Sequence, residues 1–191
     1  MVQSKLTMFE SGEFIIDQRL LSVRNTYTVK NRLGQQLGLI KQEIVSLGPK
    51  FWFEDNAGVH LGEVDGKVIT VHNEYEIKDQ TGQVKARIKK KILKLFGSEW
   101  WMEDADGREI ARIKGNTVRH TYDIIDRDKI RIAKVHRNWV TVQDEYCVEM
   151  ANPDFNPMFV LAFAVAMDNV EHEQRSPMSK SVNVIGKLFG H

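Results

Sequence analysis

The chain of 191 residues has a single cysteine, Cys147, so no disulfide can form within it. A domain of this size without a disulfide framework fits a reducing compartment, and a cytoplasmic location is the expectation. Net charge is nearly absent as well, since 27 bases against 26 acids leave +1. No global field draws such a chain to nucleic acid or to a membrane, and nucleic acid is not expected as a partner. Any electrostatic partner must meet a local patch. Long apolar runs are also missing. The longest, "MFVLAFAVAM" at 158–167, covers ~15 Å as a helix against a ~30 Å hydrocarbon core, so no transmembrane segment is expected. The opening "MVQSKLTMFESGEF" holds no apolar stretch of the signal-peptide kind. Catalytic signatures are missing too: no H-E-x-x-H, no G-x-S-x-G, no glycine loop for phosphates or dinucleotides. The six histidines and Cys147 show no zinc spacing. No catalytic residue, metal site or cofactor is therefore expected.

What the chain does have is a repeat. Five segments align: "YTVKNRLGQQLGLI" from Tyr27, "FWFEDNAGVHLGEV" from Phe51, "YEIKDQTGQVKARI" from Tyr75, "WWMEDADGREIARI" from Trp100 and "YDIIDRDKIRIAKV" from Tyr122. A sixth start follows at Tyr146, and successive starts lie 24, 24, 25, 22 and 24 residues apart. The shared pattern is aromatic-x-apolar-x-Asp/Asn-x-x-Gly, then an alternating strand that ends small-x-Ile/Val. The aromatic and the apolar residue two later share one strand face, because side chains alternate. Asp or Asn (Asn31, Asp55, Asp79, Asp104, Asp126) opens a turn by bonding the backbone two residues on. Gly34, Gly58, Gly82 and Gly107 suit the last position of a type I turn with a bulge. The fifth copy has Lys129 there, which predicts a turn built differently.

Each second strand carries a small inward residue: Gly38, Gly62, Ala86, Ala111 and Ala133. Together they predict room for something bulky inside. Six first strands, five second strands and one more from "EFIID" or "LLSVRN" give 12, and many short antiparallel strands at even spacing predict a sandwich or a barrel. A barrel that wide cannot be filled by its own side chains and needs a plug. "NPMFVLAFAVAMDN" supplies one. Asn156 is a good N-cap and Pro157 suits the first helical position. Met158 to Met167 is then apolar on every face and ends at Asp168-Asn169, the pattern of a buried helix. The competing reading is a core strand, "FVLAFAV", which leaves the cap signals unused. The expected architecture is thus mainly β: a closed antiparallel barrel of about 12 strands, built from ~24-residue hairpin repeats, around a buried C-terminal helix at about 157–170. Residues 1–171 form one domain in this reading, and 172–191 a polar tail.

Ordered aromatic-x-apolar-x-Asp-x-x-Gly hairpins followed by one apolar C-terminal helix resemble the LURP-one-related family, over roughly residues 10–170. That family groups with the tubby C-terminal domain and the phospholipid scramblases. The resemblance implies a closed 12-stranded barrel around a central helix. It also implies phosphoinositide binding, as in tubby domains, or action at membranes, as in scramblase-like members. It carries over no catalytic residue. The single cysteine leaves this chain without the cysteine-rich palmitoylation cluster of scramblases.

One stretch stands out in charge. Between Gln80 and Ser98 there is no acid but six bases, Lys85, Arg87, Lys89, Lys90, Lys91 and Lys94. Lys85, Arg87, Lys89 and Lys91 alternate with Ala86 and Ile88, so they share an outer strand face; Arg112 and Lys114, then Lys134 and His136, hold the matching positions of the next copies. Aligned hairpins turn these into a basic belt, with Lys85, Arg87, Lys89, Lys91, Arg112 and Lys114 as the expected anion site. Anionic lipid headgroups suit it, at ~1 kcal/mol per base near an anionic surface. The same bases also read as a solvated face that deters edge aggregation. Trp52, Trp101 and Trp139 can anchor at a membrane interface, but core positions are expected for them. The Asp-x-x-Gly turns read as structural rather than as calcium ligands, which must converge on one point; the acidic "EDAD" at 103–106 is the densest spot. The expected function is a non-enzymatic binding domain that touches anionic phospholipid, or a phosphorylated partner, peripherally at a membrane. The alternatives are a carrier or enzyme with a barrel pocket, and a protein–protein scaffold.

Overall fold

In the computed structural model, residues 8–19, 26–45, 48–69, 72–93, 97–116, 120–138 and 145–175 are described. Twelve strands follow one another: β1 Glu13–Arg19, β2 Thr26–Lys30, β3 Gln36–Val45, β4 Gly48–Asp55, β5 His60–Ile69, β6 His72–Asp79, β7 Val84–Leu93, β8 Gly97–Asp104, β9 Glu109–Asn116, β10 Thr121–Ile125, β11 Arg131–Asn138 and β12 Glu145–Met150. Each pairs antiparallel with the next, and β1 closes the barrel on β12, Phe14 opposite Val148. Closure leaves no strand edge to aggregate. The twelfth strand is the one that contains "EFIID"; "LLSVRN" lies outside the described residues, as do Lys94 and Trp139.

The repeat pattern places the wall. The aromatic and apolar pair of all six first strands, from Tyr27 and Val29 to Tyr146 and Val148, is buried. So is the small residue and the Ile or Val two beyond it in all five second strands. Each turn repeats the same two backbone bonds, to which its Asp or Asn side chain adds others. The Gly82 N–H donates to the Asp79 carbonyl at 2.9 Å, and the Asp79 N–H to the Gln83 carbonyl at 3.0 Å. Asp79 Oδ1 accepts from the backbone of Thr81 at 2.9 Å and of Gln83 at 3.1 Å. The register slips by one residue just before the turn, between Ile77 and Lys78, which is the bulge. Gly82 has φ +81°, the left-handed region that glycine enters without penalty. The fifth turn differs from expectation: it is built like the others. Lys129 itself takes φ 65°, its N–H reaches the Asp126 carbonyl at 3.2 Å, and Asp126 Oδ1 accepts from Ile130 at 2.8 Å. The aspartate bonds hold the backbone where the side chain would not choose to be.

The plug is a helix, α1, Pro157–Arg175. Asn156 caps it, Oδ1 accepting from the Met158 N–H at 3.0 Å. Its contacts come from all around the wall. Met158 fills the space over Gly62 of β5. Phe163 meets Trp100 of β8 and Tyr122 of β10 edge-on, with centroids 5.6 and 5.7 Å apart. A helix touched from opposite walls occupies the barrel axis. It does not end at Asp168-Asn169, as the apolar run suggested, but runs on through them, and past residue 170, to Arg175. Both polar residues are buried and partnered. Tyr27 of β2 and Tyr146 of β12 donate their hydroxyls to the two oxygens of Asp168, at 2.9 and 2.8 Å. Gln42 of β3 donates to Asn169 Oδ1 at 2.6 Å. A buried carboxylate that accepts two hydroxyl bonds avoids most of the desolvation penalty, so the helix has no reason to stop there. Burial, then the adjoining Asp168, push the Tyr27 hydroxyl well above its ordinary pKa, which keeps it a donor. At the other end of the barrel Met8, fully buried, fills the space over Gly38. Met8 thus supplies a second, smaller stopper.

Candidate functional site

The expected basic face lies on β7 and β9, with β6 and β8 between and beside them. Strand alternation puts Lys85, Arg87, Lys89 and Lys91 outward and turns Ala86, Ile88 and Lys90 inward. Lys90 is buried, its ammonium 5.1 Å above the Trp100 ring, so it faces away from the outer surface.

Register decides the electrostatics of the outward bases. Glu76 of β6 lies opposite Arg87, Glu74 opposite Lys89, and Glu103 of β8 opposite Arg87 from the other side. The bases and acids pair accordingly. Lys85 reaches Asp79 at 3.1 Å; Arg87 reaches Glu76 at 3.5 Å and Glu74 at 3.7 Å; Lys89 reaches Glu103 at 2.7 Å and Glu74 at 3.9 Å. On β9, Arg112 holds Glu109 at 2.9 Å and Glu99 at 3.4 Å, and these two acids lift its pKa above the ordinary arginine value. The pattern continues over the neighbouring wall. Lys50 and Lys78 share Glu63 at 3.0 and 3.2 Å, and Lys78 also takes Asp65 at 3.0 Å. Burial pushes the Glu63 carboxyl up, but bonds from Lys50 and Lys78 outweigh it and hold it below the usual carboxylate range. Glu103 behaves alike: burial raises it, and Lys89 with the Trp101 indole pulls it lower still. The outer wall is a lattice of alternating sign.

Two of the six expected residues stand apart. Lys91 and Lys114 are exposed and make no ion pair among the described residues. Lys91 lies opposite Glu99 of β8. Lys114, one step beyond the Trp100–Ile113 pair, sits across from the same glutamate on the other side. Lys91, Arg112 and Lys114 thus cluster round Glu99. The acids between the bases lie outside the run 80–98 or at its edge, in the flanking copies: the outward positions of 74–79 hold Glu74 and Glu76, and those of 99–104 hold Glu99 and Glu103.

Trp52 and Trp101 are not core residues, contrary to expectation. Each stands beside an inward aromatic on its strand, so alternation turns it outward, where it is half-buried under long charged side chains. Lys50 lies 5.5 Å from the Trp52 ring centre, and Trp101 donates its indole N–H to Glu103 at 2.8 Å. Cys147 alternates outward between Tyr146 and Val148 and is half-buried; burial pushes its thiol up, and Glu145, Glu149 and Glu13 add to that. The acidic spot at 103–106 is covered by Arg108, 2.9 Å from Asp104 and 2.6 Å from Asp106. Among the described residues no three His, Cys, Asp or Glu side chains are placed to hold a metal, and no helix is long and apolar enough to cross a membrane.

A cleft of about 740 Å³ opens at the turn end, beside the start of α1. Its floor is Ile110, Ile132, Phe155 and Phe159, and charged side chains of the β8–β9 and β10–β11 turns line its rim. Lys85 of the expected anion site and Asp104 of the acidic spot also line it, while the four floor residues did not stand out in the sequence.

A family model described as LURP-one-related matches residues 13–168, from the first residue of β1 to the aspartate bonded by two tyrosines. No curated protein matches the chain. Among solved structures it is similar to the X-ray structure of a protein from Arabidopsis thaliana. The two are 14% identical with a TM-score of 0.57, over 86% of this chain and 94% of that one. At that identity the likeness speaks for the fold alone.

Proposed function

The chain belongs to the LURP-one-related family, and on that premise we propose that it is a non-enzymatic binding domain that meets anionic phospholipid headgroups through the β7–β9 wall. The observation that supports this is the cluster at Glu99. Lys91 and Lys114 are exposed there with no ion pair among the described residues, beside Arg112, and Asp123 of β10, opposite Lys114, is held by Arg131 at 3.2 Å, so two bases of this face are left to meet a ligand. Lys85, Arg87 and Lys89 belong to the same face in this reading, already engaged by acids, and act as its rim. Half-buried Trp101 lies between Lys89 and Arg112 in the register and offers an amphipathic contact beside them. Contact of this kind is peripheral and suits the cytoplasmic side of a membrane, where anionic lipids concentrate. The helix along the barrel axis speaks for a surface function, since a carrier or enzyme on such a barrel would use the interior the helix fills.

The test is co-sedimentation with vesicles of phosphatidylcholine alone and with added phosphoinositide. At ~1 kcal/mol per base near an anionic surface, Lys91→Glu with Lys114→Glu should weaken binding by at least about 30-fold. Binding should also fall as salt rises, because the Debye length shrinks from ~10 Å at 0.1 M. Equal binding to neutral vesicles, or an unchanged double variant, would sink the reading.

A further inference from the structure

The geometry points to a second contact surface of opposite character: the cleft at the turn end takes a basic peptide segment of a partner protein that carries an apolar anchor between its bases. The floor sets the anchor. Phe155 and Phe159 meet edge-on with centroids 5.8 Å apart, and with Ile110 they are only half-buried, so they present apolar surface to whatever enters. The rim sets the charge. Arg108 is taken by Asp104 and Asp106, and Lys85 by Asp79. Asp126, Asp128 and Asp154 make no ion pair among the described residues, and Arg127 is the one rim base left to set against them. Asp126 keeps one oxygen on the Ile130 N–H, and Arg127 donates its Nε to the Glu109 carbonyl at 2.7 Å. The balance of unpaired charge is negative.

The start of α1 does not reverse that sign. Pro157 has no N–H, and Asn156 takes those of Met158 through its side chain and Phe159 through its carbonyl. The carboxylates do not converge as a metal site requires. Negative charge spread round an apolar floor matches lysines and arginines spaced along a peptide, with a phenylalanine or leucine seated between them. The ligand it takes is opposite in sign to an anionic bilayer, so the two readings are told apart by ligand charge, with Lys85 standing on the rim of both surfaces.

The experiment uses the full chain and a fluorescein-labelled peptide, Arg-Lys-Phe-Leu-Lys-Arg, followed by polarisation. The unmodified chain should bind it saturably, and Asp128→Lys with Asp154→Lys should weaken it about tenfold or more. Both aspartates are exposed, so the fold should be unaffected. Arg127→Ala, which removes a like charge, should tighten binding. Replacing Phe and Leu of the peptide by Ser should weaken it about tenfold, and replacing its bases by Glu should abolish it. The proposal is overturned if the unmodified chain does not bind the probe, if the double aspartate variant binds as well, or if the Glu peptide competes equally. Self-association of the chain that Asp128→Lys abolishes would put a second copy in the cleft instead, and overturn the partner. Vesicle binding of the double aspartate variant should not fall, since the added bases favour an anionic surface, and this separates a failure here from a failure of the lipid reading.

Discussion

At the scale of single residues, Lys129 and Gly82 occupy the same turn position with the same left-handed backbone, φ 65° and 81°. A residue with a Cβ pays for that conformation on the order of 1 kcal/mol, and glycine does not. Nothing lies within 4 Å of the Cβ that alanine would place at 82, so that substitution reads backbone strain with no clash added. Gly82→Ala should lower stability by about 1 kcal/mol and Lys129→Gly should raise it by a comparable or smaller amount. Urea midpoints at unchanged slope will show both. Equal midpoints for all three proteins would mean that the aspartate bonds, not the φ preference, decide the turn.

At the scale of elements, the helix and the wall are joined by two kinds of contact. Phe163 against Trp100 and Tyr122 is apolar packing, while Asp168 and Asn169 are fixed by hydroxyls and an amide from β2, β12 and β3. The polar contacts set the depth and rotation of the helix, because a slide of one residue would leave a buried carboxylate without its donors. Tyr146→Phe removes one of those donors with little change in volume. The expected loss is about 1–3 kcal/mol, the usual range for a buried acceptor left short of a partner. A variant as stable as the parent would show that Asp168 draws enough from its other contacts.

At the scale of the whole molecule, the outer lattice makes stability depend on pH. Asp79 is held far below the usual carboxylate range, by the Thr81 hydroxyl first and by Lys85 and backbone N–H groups after it. Asp104, Glu63 and Glu103 are lowered as well. A carboxylate with a lowered folded pKa stabilises the fold at pH values above its unfolded pKa of ~4. That contribution disappears as pH falls through the folded pKa. Lys78 and Tyr27 are raised, so their contribution is complete below the unfolded values of about 10 and is lost as pH rises through the folded ones. The urea midpoint should therefore be level near neutrality and fall below about pH 4 and above about pH 10. Lys78→Met should make the acid limb shallower, since Glu63 loses one of the two lysines that hold its carboxyl down. A midpoint that stays level down to pH 2.5 would exclude the lattice as a source of stability.

The hairpins, the inward aromatics, the small residues and the capped apolar helix were all legible in the amino-acid sequence. Each rests on local rules: side chains alternate along a strand, Asp and Gly shape the turn, and Asn before Pro starts a helix. Repetition of one unit then limited the folds to a wall that must close round something. Tertiary structure alone decided the rest. The bases of "KARIKKK" looked like a belt until register set Glu74, Glu76 and Glu103 beside them, leaving Lys91 and Lys114 outside the pairing. Asp168 and Asn169 read as a helix end in sequence, but Tyr27 and Tyr146, from opposite ends of the chain of strands, converge on the one carboxylate. The cleft at the turn end is assembled from two copies of the repeated turn and the linker before α1, which only the fold brings side by side. Sign and partner of a surface charge depend on which strand lies alongside, and a one-residue bulge at each turn changes that; no single stretch of sequence carries the information.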